Sequence, residues 1–232
     1  MKITFDRFLA ILSILLAIPA LIEFIHNENI RDGVLFSALV VLVSGYWLYR
    51  RWENGQPFFT HLEIHKTLIF QDRDADVAVL ETKTKTKANH PVQQIWFRNI
   101  SADGDIRNFT IDGSPPLVVQ RKAGSWEICK QFEHPLERGD KVEITLRYEL
   151  YRAFTGHVEG VTHVLATKTK KLLVRVQFHE NKVGRDIRAF VGLGADKEKA
   201  LAMPTPSANG TGYELEIENP KKGSYYTIEW RW

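Results

Sequence analysis

The chain has 232 residues, enough for one sizeable soluble core beside a short accessory segment. Its 31 lysines and arginines face 28 aspartates and glutamates, which excludes a polycation that coats nucleic acid; any anionic ligand needs a local basic patch. The single cysteine, Cys129, excludes an intrachain disulfide and a cysteine-only zinc site and fits a reducing compartment.

The apolar residues are concentrated at the start. No residue from Phe8 to Ile22 is charged, Glu23 is the one charge before Ile25, and a second uncharged run covers Val34 to Tyr49. As helices these runs would be roughly 24–27 Å long, close to a hydrocarbon core. The polar stretch His26–Gly33 between them holds turn formers and allows a tight reversal. Tyr46, Trp47, Tyr49 and Trp52 gather as an interfacial aromatic belt does, and Arg50 and Arg51 can snorkel to headgroups. The pattern predicts a transmembrane α-helical hairpin over residues 1–52 and a linker over 53–58. A secretory signal peptide is the competing reading, but Ile18-Pro19-Ala20 makes a poor cleavage site and a second apolar run follows at once.

Lys2 and Arg7 fall on the same side of such a hairpin as Arg50 and Arg51, which predicts both termini in the cytoplasm. Ala10, Ser13, Ala17 and Ala20 form a stripe of small residues that lets helices approach, and Ser37 and Ser44 share a face of the second helix. Glu23, repeated in an oligomer, would be a cation-attracting mouth. Plain packing within one hairpin also accounts for the stripe.

After Arg51 the pattern changes to short alternating or β-branched stretches: Phe59–Phe70, Val77–Lys85, Val92–Ile100, Ile106–Ile111, Ser125–Phe132, Lys141–Tyr151, Val161–Thr167, Lys171–Phe178, Ile187–Leu193, Tyr213–Ile217 and Tyr225–Trp232. Breakers such as Asp112-Gly113-Ser114-Pro115-Pro116 and Arg138-Gly139-Asp140 separate them. Residues 59–232 are therefore expected to form an all-β domain, an antiparallel sandwich or barrel, with one short helix near Asp196–Leu201. The last strand alternates strictly, placing Tyr226, Ile228, Trp230 and Trp232 on one face, as core packing requires.

Two lysine-rich stretches resemble one another: Lys83, Lys85 and Lys87 alternate with threonines, as do Lys168 and Lys170, with Lys171 next. In extended chain alternate residues share a face. If the two strands are neighbours, these ammonium groups converge and would attract phosphates without base specificity, while Trp96 and Arg98 could stack on bases. Lysines also keep an exposed sheet edge from pairing with another chain, and a third use is contact with anionic lipid headgroups.

Catalytic signatures are poor: there is no Gly-x-Ser-x-Gly elbow, phosphate loop, His-Glu-x-x-His or Cys-x-x-Cys. His61, Glu63 and His65 would share a strand face, but a further zinc ligand would have to come from afar. The sequence points to no enzyme, metal or cofactor.

The paired runs Phe8–Ile25 and Val34–Tyr49, the Arg50-Arg51 exit, the turn Phe132–Asp140 and the terminal Tyr226–Trp232 together resemble the membrane effectors of bacterial anti-phage nucleotide-signalling systems of the CBASS, Panoptes and Hailong type. The resemblance implies a cytosolic β-domain at the bacterial inner membrane. There it senses a cyclic nucleotide or oligonucleotide made by a partner nucleotidyltransferase-like enzyme. It also implies a homo-oligomer of four or more chains whose helices form an ion channel or pore in the lipid bilayer. A tethered β-domain scaffold that binds a partner protein is the alternative.

Overall fold

Alternation of β-branched and polar residues after Pro57 produces strands throughout, and their registers decide which face each residue occupies. In the computed structural model, residues 41–46, 57–193, 199–207 and 210–232 are described. Pro57–Trp232 forms one compact unit. Its strands are β1 (Phe59–Phe70), β2 (Val77–Ala88), β3 (Val92–Ile100), β4 (Asp105–Ile111), β5 (Val118–Lys122), β6 (Ser125–Leu136), β7 (Lys141–Tyr151), β8 (Val158–Val164), β9 (Thr169–Gln177), β10 (Arg185–Leu193), β11 (Lys199–Ala200), β12 (Thr205–Pro206), β13 (Gly212–Glu218) and β14 (Ser224–Arg231).

The expected membrane hairpin is corrected here. Residues 41–46 are helical, and among the described residues no helix is long and apolar enough to cross a membrane. Ser44 lies in that stretch. The run Phe8–Ile25 and most of the second run, with Ala10, Ser13, Ala17, Ala20, Glu23 and Ser37, lie outside the described residues. The described chain is mainly β, which corrects the membrane and ion-channel character expected from the hairpin. The helix expected near Asp196–Leu201 is also corrected: residues 194–198 lie outside the described set, and Lys199–Ala200 pairs with β10 as a strand.

A seven-stranded sheet runs in the order β12-β13-β9-β1-β2-β7-β4, beside a four-stranded sheet β11-β10-β14-β8 and a three-stranded sheet β3-β6-β5. The large sheet is mixed rather than purely antiparallel, because β1 pairs with β9 in parallel. Its inner face supplies Leu68, Ile144, Leu172, Val174 and Val176, all fully buried, and the smaller sheets add Ile128, Ile228 and Trp230. These residues belong to one apolar cluster, so both small sheets cover the same face. The far ends of β1 and β9 meet β14 in an aromatic group, with Phe70 stacked on Phe178 at 5.7 Å and both rings edge-on to Trp230.

Candidate anion-binding surfaces

The lysines of β2 do not guard an edge. β2 lies between β1 and β7, so the edge-protection reading fails. The alternation does fix their face: Lys83, Lys85 and Lys87 are exposed, while Thr84 and Thr86 are buried against the core. β2 and β9 are not neighbours either; β1 separates them, which puts their backbones about 10 Å apart.

Across the outer face the charges alternate from strand to strand. One row reads Glu218, Lys171, Glu63, Lys85 and Glu143, each directly opposite the next. Lys171 bonds Glu216 at 2.8 Å and lies 3.7 Å from Glu218, and these carboxylates hold its pKa above the usual lysine value. Lys83 pairs with Glu81 at 3.1 Å. Opposite charges facing one another across strands stabilise a sheet, so this middle zone is a neutralised lattice rather than a basic patch.

One end of the face is different. Lys87 stands directly opposite Lys141, and Lys168 and Lys170 flank the start of β9 at the same end of the sheet. All four are exposed, and among the described residues none makes an ion pair. Like charges placed opposite each other cost stability, so this end has a net demand for anions. Trp96 and Arg98 are not brought to it. They belong to the three-stranded sheet, where Arg98 lies over the Trp96 ring at 5.8 Å and 3.9 Å from Glu127.

The inner face at the same end is polar. A bulge in β1 between His61 and Glu63 breaks the period of two. Glu63 and His65 therefore face outward, 3.9 Å apart, whereas His61 turns inward with Nδ1 3.2 Å from the Thr86 hydroxyl. The expectation that His61, Glu63 and His65 share one face is corrected by this bulge, and no group of metal-ligating side chains occurs among the described residues. Lys66, two positions beyond Ile64, also points inward and donates its Nζ to the Thr162 carbonyl at 2.6 Å. His163 reaches the same region from β8, its backbone opposite Tyr226. Burial pushes His61 down to about 4 and Lys66 down to about 8. His163 is pushed down to about 3 by burial, then by the charges of Lys66 and His61.

No family model and no curated protein matches the chain. Among solved structures it is similar to an M1 zinc metallopeptidase from Deinococcus radiodurans, with 10% identity and a TM-score of 0.42 over 75% of this chain and 42% of that one. It is similar also to yeast LTA4 hydrolase, with 11% identity and a TM-score of 0.45 over 74% of this chain and 29% of that one. The chain spans less than half the length of each.

Sequence reasoning found Lys87, Lys168, Lys170 and the alternation that exposes them. It missed Lys141, whose pairing with Lys87 is a matter of register. It missed Lys66 and His163 as well, although a lysine at a core-facing position between Ile64 and Leu68 is a visible break in pattern.

Proposed function

We propose that residues 57–232 form a recognition module, rather than an enzyme, for a phosphate-bearing cyclic nucleotide or oligonucleotide supplied by a partner nucleotidyltransferase-like enzyme. The observation that carries this reading is that Lys87, Lys141, Lys168 and Lys170 all lie exposed at one end of the large sheet without acidic partners among the described residues. Ammonium groups on three strands suit several phosphates of one backbone and read no base. The middle lysines, Lys83, Lys85 and Lys171, belong to the charge lattice and contribute to the field only.

The test is fluorescence anisotropy of the full chain with a labelled linear triadenylate and a labelled cyclic dinucleotide. Binding should weaken with salt at a log–log slope of about −3 for four phosphate contacts. The triple variant Lys87→Glu, Lys168→Glu, Lys170→Glu should lose at least about tenfold in affinity. Binding unchanged in that variant would falsify the assignment.

A second reading, a β-domain that binds a partner protein, is favoured by the edge strand β5, where Val119 is exposed beside the exposed Leu117 that precedes the strand. A Val119→Lys variant that keeps nucleotide binding but loses a co-purifying protein would favour it.

A further inference from the structure

The edges of the three sheets are not alike. Among the described residues the outer strands are β12 and β4, β11 and β8, and β3 and β5. An outer strand offers unpaired N–H and C=O groups to any other chain, and every one of these except β5 is blunted. β11 and β12 have two residues each, and β12 holds Pro206. β4 is bulged between Arg107 and Thr110, with Asn108 at a φ of 55°. β3 shifts register between Val92 and Gln94 and again between Phe97 and Ile100. On β8 the Thr162 carbonyl is taken by the Lys66 ammonium at 2.6 Å.

β5 has none of these devices. Its register with β6 runs unbroken from Val118 to Lys122, it contains no proline and no positive φ, and four of its five residues are exposed. Among the described residues the one side-chain bond to its backbone runs from the Ser125 hydroxyl to the Lys122 carbonyl at 3.1 Å, within its own hairpin. Ala123 and Gly124, at φ 48° and 85°, form a two-residue turn, which makes Lys122 and Ser125 a hydrogen-bonded pair. Bonding then alternates along the strand, so the N–H and C=O groups of Val119 and Arg121 point away from β6 to the open side.

Charge decides what suits that side. β5 carries Arg121 and Lys122 and no acid, and among the described residues neither cation has an ion pair. Glu127, opposite Gln120 on β6, accepts the Gln120 amide at 2.9 Å and lies 3.9 Å from Arg98. The Arg121 guanidinium lies 5.9 Å over the Trp126 ring, on the same face as Val119, which is 43% exposed. A second copy of the chain pairing antiparallel about Gln120 would gather Arg121 and Lys122 of both copies on one short ribbon with no acid, and like charges so placed cost stability.

We propose that β5 is extended by an acidic strand of a partner protein. That strand bonds the open N–H and C=O groups of Val119 and Arg121, with an apolar residue opposite Val119 and carboxylates opposite Arg121 and Lys122. Paired antiparallel, it reads acid-acid-x-apolar from its own N-terminus. The inference rests on the partner-binding reading of β5 and does not depend on the nucleotide site.

The experiment uses the full chain and the labelled peptide Ser-Glu-Glu-Thr-Val-Thr-Val-Ser, followed by fluorescence anisotropy and by amide hydrogen exchange of the complex. The peptide should bind at least about tenfold tighter than the same peptide with lysines in place of its glutamates. The amides of Val119 and Arg121 should exchange more slowly in the complex, and those of Lys168 and Lys170 should not change. Proline in place of the first valine removes a ladder N–H and should weaken binding at least about tenfold. Arg121→Glu combined with Lys122→Glu, both at exposed positions, should reverse the preference between the glutamate and lysine peptides. The triple variant Lys87→Glu, Lys168→Glu, Lys170→Glu should bind the peptide as wild type does. Absence of binding, equal binding of the two peptides, or protection confined to residues outside β5 overturns the proposal. So does a concentration-dependent dimer that disappears in Val119→Lys, which would give the edge to a second copy. If Val119→Lys loses a co-purifying protein while the peptides show no charge preference, the partner-binding reading stands and the acidic strand falls.

Discussion

His61 and His163 are held below the ordinary imidazole value of 6.5, at about 4 and about 3. The unfolded chain therefore takes up protons first as pH falls. The stability tied to these neutral imidazoles is present above about 6.5 and is lost towards pH 4, with a slope of about 1.4 kcal/mol per pH unit for each proton. Lys66, lowered from 10.5 to about 8, gives the same sign in a different window, so its penalty at pH 7 fades as pH rises past 8. Urea midpoints should show the acid arm flatten when His61→Gln and His163→Gln are combined, and the gap between wild type and Lys66→Met should shrink from pH 7 to pH 9.5. Cys129 belongs to this scale too. It is fully buried and burial pushes its thiol pKa up, so maleimide should label it only at the rate of unfolding, which native-state labelling would measure.

Strand β2 shows how far an element can be read alone. Its Lys-Thr alternation fixes which residues share a face, and that much was legible. Which side is buried was not, because Thr84 and Thr86 face the core only once β1 and β7 flank the strand. Register also gives the lysines opposite signs of effect. Lys85 sits between Glu63 and Glu143, so Lys85→Glu should destabilise by about 0.5–1 kcal/mol. Lys87 faces Lys141, so Lys87→Glu should stabilise by a few tenths, up to about 1 kcal/mol. Both differences should shrink in high salt, and equal signs for the two in denaturant titrations would contradict the register.

At the scale of the whole molecule, the two ends of the sandwich differ. One is polar, with His61, Thr86 and Thr169 on the inner face and Lys87 and Lys141 exposed outside. The other is closed by Phe70, Phe154, Phe178, Trp230 and Trp232. Trp230 is fully buried, and Trp230→Ala should cost about 3–5 kcal/mol in chemical denaturation. A Cβ on Gly184 would meet Phe178 at 2.6 Å and Trp230 at 2.9 Å, so Gly184→Ala should cost about 1–3 kcal/mol by forcing those rings apart.

The sequence by itself determined most of the longer strands, their alternation and the residues that share a face of the last strand, because a period of two is a local property of extended chain. It did not determine strand order, the parallel pairing of β1 with β9, or the bulge that turns His61 away from Glu63. It also led to a membrane hairpin, whereas among the described residues no helix is long and apolar enough to cross a membrane. Only the tertiary structure decided that Lys85 is neutralised and Lys87 is not, and that Lys66 bonds the Thr162 carbonyl across the two sheets. Those outcomes depend on which strand lies alongside, and that is set by contacts between residues far apart in the chain, as Lys66 and Thr162 are at 96 positions.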